Sequence, residues 1–84
     1  LIQQEQDAYI DHRFKKFLVI KLTGLKSPEL DTFMQRYRPD YHLLLTFNDL
    51  EFGYYIQQCF EAYKNNRPNP YLFFRKPEQE NWDE

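Results

Sequence analysis

His12, His42 and Cys59 are the only imidazole and thiol groups in this 84-residue chain. No two of them stand at the short spacings of a zinc site, so neither a metal nor a cofactor is expected. Nucleophilic catalysis needs a Ser, Thr or Cys held against a base, and no such pairing is visible in the sequence. Cys59 falls on an apolar helical stripe and reads as a small core residue. Carboxylates such as Asp31 and Glu61 sit where solvated helix faces are expected. The sequence therefore predicts a non-enzyme.

One loop could still hold an anion. Residues 23–28 read Thr-Gly-Leu-Lys-Ser-Pro and are expected to carry a strand into a helix N-terminus. Backbone N–H groups there, with Lys26 and Ser27, could bind an anion or serve a small enzyme. The loop from Gly24 to Ser27 lacks the repeated glycines of phosphate-binding fingerprints. A turn with Ser27 as N-cap and Pro28 in the first helical position explains it more simply.

The larger constellation is Phe17, Val19, Lys21, His42, Leu44, Thr46, Tyr71, Phe73 and Arg75. It becomes a surface only if the elements carrying these residues are strands. Residues 17–23 are β-branched and apolar and end at Gly24; residues 41–47 and 71–75 read the same way. Two-residue alternation then puts the nine side chains on one side of a sheet. Leu18, Ile20, Leu22, Leu43, Leu45 and Phe47 fall on the other.

Two helices are expected to cover that other side. Leu30, Phe33, Met34 and Tyr37 are spaced i, i+3, i+4, i+7. Phe52, Tyr55, Ile56, Cys59, Phe60 and Tyr63 continue such a stripe over almost three turns. Asn48 and Glu51 form a capping-box pair ahead of the second stripe, and Pro39 stops the first helix. A short N-terminal helix over residues 1–12 completes the order α-β-α-β-α-β. The expected fold is a two-layer α/β sandwich of three strands with two helices on one face. Ile20, Leu22, Phe33, Leu45, Ile56 and Phe60 should meet in its core.

Composition sets the outer bounds. Residues 1–77 are expected to form one small domain, and 78–84 an acidic tail holding Glu78, Glu80, Asp83 and Glu84. The net charge is −2, and without those four acids the rest is +2, too little for the basic stripe of a nucleic-acid binder. A single cysteine forbids an internal disulfide, which fits a reducing, intracellular compartment. No apolar run approaches the ~20 residues of a membrane span, and no signal-peptide pattern is visible. A chain that opens on Leu1 is expected to be a piece of something longer.

The middle of the chain resembles an RNA-recognition-motif domain. Leu18, Val19, Ile20, Lys21 and Leu22 resemble that family's first strand, and the run from Glu29 to Tyr37 its first helix. The run from Leu44 to Asp49, followed by Gly53 and Ile56, resembles its third strand entering its second helix. Residues 70–74 would be the last strand. There is no room for the family's second strand between Arg38 and Asp40, and Val19, His42 and Leu44 stand where base-stacking aromatics belong. The resemblance therefore implies a degenerate, RRM-like member that binds protein.

The function expected from the sequence is macromolecular interaction. The partner would be another protein, or a second copy of the chain, meeting the open sheet face. Single-stranded RNA or DNA on the same face is the alternative. A lid over that face, made by Ile2, Tyr9, Ile10 and Phe14, is the competing explanation for its apolar character.

Overall fold

The computed structural model describes residues 2–71. Among these residues there are five helices and no strand: α1 (Gln3–Arg13), α2 (Lys16–Thr23), α3 (Glu29–Arg36), α4 (Tyr41–Leu45) and α5 (Asp49–Lys64). The α/β sandwich, the RRM-like resemblance and the order α-β-α-β-α-β are all overturned by this. Both segments expected as strands within the described residues are helices instead. Tyr71 lies in a turn, and residues 72–75 fall outside the described residues.

α5 is the axis of the fold. It opens with the expected capping box: the Asn48 side chain accepts from the Glu51 N–H at 2.8 Å, and the Glu51 carboxylate accepts from the Asn48 N–H at 2.9 Å. Phe52, Tyr55, Ile56 and Cys59 are buried along one face. α3 lies against that helix through rings. Phe33 meets Phe60 and Tyr63 edge-on, with centroids 6.1 and 5.5 Å apart. Two tyrosine hydroxyls pin the arrangement: Tyr55 donates to the Tyr37 carbonyl and Tyr37 to the Arg67 carbonyl, each at 3.0 Å.

α1 crosses α4, with Tyr9 edge-on to Tyr41 at 5.6 Å. Arg13 ties the two together. Its guanidinium donates to the Leu44 and Phe47 carbonyls at 3.0 Å each, at and just beyond the C-terminal end of α4. It also lies over the Phe52 ring at 5.0 Å. α4 has barely more than one turn and depends on its cap. The Asp40 carboxylate accepts from the His42 and Leu43 N–H groups at 2.9 and 3.1 Å.

The physical reason for the misread strands is visible in α2 and α4. Helical geometry buries Val19 and Leu44 completely, while Ile20 and Leu45 are exposed. Strand alternation assigned each pair the other way round. A short apolar run looks alike as a strand or a half-buried helix, and packing against α5 decides between them. Of the expected core, Phe33 and Ile56 are fully buried, and Leu22 and Phe60 are partly buried. Ser27 also departs from expectation. It does not cap α3; its hydroxyl donates to the Asp31 carboxylate at 3.1 Å, and the helix begins at Glu29.

Candidate functional site

α2 lies beside α5 and runs in the same sense. Leu18, near its start, shares a wall with Asp49 and Phe52, and Leu22, near its end, shares one with Phe60 and Glu61. The two helices do not close completely on one another. Between them lies an open groove of about 820 Å³. Leu18, Lys21 and Leu22 form its α2 wall, and Leu50, Tyr54 and Gln57 its α5 wall. Gly53 leaves the floor bare; a methyl group there would only touch Leu22, at 3.9 Å. Phe47 and Tyr71 also line it.

The rims of the groove are apolar and exposed. Leu50 is 86% exposed and Tyr54 61%. Phe17, at 74%, stands on a smaller hollow that continues past Leu18 toward Asp49. Charge divides along the walls. Lys21 lines the α2 side, with Lys15 on the neighbouring hollow, and Asp49 and Glu51 line the α5 side. Large apolar side chains held in water beside a trough are the usual mark of a contact surface.

The side chains expected from the sequence are scattered by the helical fold. Lys21 and Tyr71 come together in the groove, and Phe17 stands near its end. Val19 and Leu44 are 0% exposed and belong to the core. His42 sits on α4 with its ring edge-on to Tyr41, away from the groove. Phe73 and Arg75 lie outside the described residues. Lys26 and Ser27 are exposed in the connection between two helices, after Gly24 has ended α2 in the left-handed region at φ 75°. The Ser27 hydroxyl there faces the carboxylate of Asp31, which also pairs with Lys16 at 3.4 Å.

Leu50 and Tyr54 escaped the sequence reading, although a signal was present. They are spaced i, i+4 on α5 and lie outside its buried stripe, so they mark a second apolar strip on the same helix.

Behind the groove the chemistry is quiet. Burial pushes the Tyr55 hydroxyl far above its ordinary range and the Cys59 thiol up to about 12, so both are neutral near pH 7. Burial also raises Tyr71, with smaller upward contributions from Cys59 and Tyr54. Among the described residues, no group of three or more His, Cys, Asp or Glu could hold a metal ion. Nor is any helix among them long and apolar enough to cross a membrane. No family model matches the chain, and neither a curated protein nor a solved structure matches it.

Proposed function

We propose that this domain is a protein-interaction module whose α2–α5 groove receives an apolar segment of another protein. The observation that carries this reading is the pair Leu50 and Tyr54, exposed on the rim of a groove with Leu18 and Leu22 opposite. Full burial of a leucine side chain is worth roughly 1.5–3 kcal/mol, so a partner that covers Leu50 gains appreciably. The charged walls set the partner's character: an apolar strip with acids toward Lys21 and bases toward Asp49 and Glu51. An amphipathic helix laid into a groove meets that description. A reducing intracellular compartment suits a domain whose one cysteine is a buried thiol.

Single-stranded nucleic acid fits the groove less well. Stacked bases need neighbouring cations, and here one wall carries Asp49 and Glu51.

The test is selection of a displayed helical peptide library on the full chain, with Leu50→Glu as the counter-screen. The expected binders lose about tenfold or more affinity on Leu50→Glu and change little with salt. Binders indifferent to that change would overturn the reading. So would single-stranded RNA binding that falls steeply as salt rises. A dimer that Leu50→Glu dissolves would replace the partner with a second copy.

A further inference from the structure

The groove is the middle of a longer trench. A hollow of about 420 Å³ at the start of α2 shares Leu18 and Asp49 with it. Another of about 410 Å³ at the end of α2 shares Leu22 and Gln57 with it. The α5 wall of the trench runs from Asp49 to Glu61, twelve residues apart, or ~18 Å of helix. A second helix laid alongside would need about three turns to cover that length.

The two ends of the trench differ in charge. Arg13, Lys15 and the His12 imidazole stand around the first hollow, and Asp49 is its single acid. Asp49 is already answered by Arg13, at 3.3 Å. Lys15 and His12 are exposed, and neither is in an ion pair among the described residues. The far hollow holds one acid, Glu61, and one base, Lys64, and these pair with each other at 3.1 Å. Only the first end therefore presents charge for a partner to answer.

We propose that the partner is a helix of about three turns, acidic at one end, lying along the whole trench with that end at His12 and Lys15 and its apolar stripe over Leu50. This rests on the reading of the groove as a protein-binding site and adds the length, charge pattern and direction of its occupant. Laid the other way, the same helix would bring its acids to Glu61 and leave the Lys15 charge unanswered. Exposed charges of this kind fix direction more than they add affinity, so the apolar stripe still supplies the strength. The trench thus selects among amphipathic helices by their polarity.

The test carries the helical-library selection further. Binders selected on the full-length wild-type chain should hold a pair of acids within one turn of one terminus. A nitroxide on that terminus should broaden the amides of His12, Lys15 and Phe17, and one on the opposite terminus those of Gln58 and Glu61. The double variant His12→Glu/Lys15→Glu changes only exposed side chains and should weaken the same binders about tenfold. Selection repeated on that variant should return helices with a basic end in place of the acidic one. Binders that depend on Leu50 but show no acidic end, or that lie in both directions, would overturn this proposal and leave the groove reading standing. A selection that returns no Leu50-dependent binder would overturn both. A second copy of the chain found in the trench would also overturn it, since the occupant would then be this domain itself.

Discussion

Helix α5 carries two apolar strips with opposite fates. Phe52, Tyr55, Ile56 and Cys59 are buried against the rest of the domain, while Leu50 and Tyr54 stand in water on the groove side. The residue types overlap, so hydrophobicity does not separate the strips. What separates them is the presence of a partner within the described chain. Phe14, Phe33 and Tyr37 reach the first strip or its flank; α2 reaches only the edge of the second. A strip with its partner in place makes stability, and a strip without one makes a surface.

Substitutions should divide along the same line. The largest effect belongs to the buried side. Phe33→Ala removes a fully buried ring between α3 and α5 and should cost roughly 3–5 kcal/mol in denaturant unfolding, a large share of the stability of a domain this size. Near-native unfolding of that variant would break the distinction at its base.

Next comes the polar clamp behind the strip. Arg13→Met keeps much of the stem but removes the donors to the Leu44 and Phe47 carbonyls, and should cost about 1–3 kcal/mol. Asp49→Asn should matter far less. That carboxylate is solvent-exposed, and its 3.3 Å contact with Arg13 is screened by water. Equal losses from the two would mean that the ion pair to α5, rather than the carbonyl contacts at the end of α4, carries the contribution of Arg13.

Alkaline pH probes the strip through its titrating members. A free thiol loses its proton near pH ~8.5; the folded chain holds the Cys59 proton up to about 12. The folded value is raised, so unfolding releases a proton in this window. The contribution is complete below pH ~8.5 and is lost as pH rises toward 12, at about 1.4 kcal/mol per pH unit. Tyr55, raised above its ordinary value, adds a second loss above pH ~10. Thermal unfolding from pH 8 to 11 should show the decline, and Cys59→Ala should flatten its first part. A flat profile in wild type would show that neither group is sequestered.

The smallest effect belongs to the exposed strip. Leu50→Ala should change stability by no more than about 0.5 kcal/mol, since little is lost where little is buried. A loss comparable to that of Phe33→Ala would place Leu50 in the core.

Much of this division was legible in the sequence, and some was not. The stripes of α3 and α5 announced themselves because several apolar residues recur at helical spacing, and Asn48 with Glu51 marked where α5 begins. α2 and α4 were read as strands. With eight and five residues they are too short for periodicity to discriminate, and Val19, Ile20 and Thr23 favour strands locally. Burial of Val19 and Leu44 overrides that preference. Asp40 was a usable sign, an N-cap residue standing just before the Tyr41 turn. Strand alternation places Val19 and Leu44 on a contact face where the helices bury them, while Lys21 and Tyr71 do line the groove. Leu50 and Tyr54 are masked in the sequence by the stronger stripe on the same helix, which alone accounts for α5.

The most direct measurement is amide chemical-shift mapping of a library-selected peptide titrated into the full-length chain. The groove account predicts the largest shifts at Leu18, Lys21, Leu50, Tyr54 and Gln57, with α1 and α4 nearly silent. Shifts centred on Tyr9, Tyr41 and His42 instead would place the docking surface on the opposite pair of helices and contradict it.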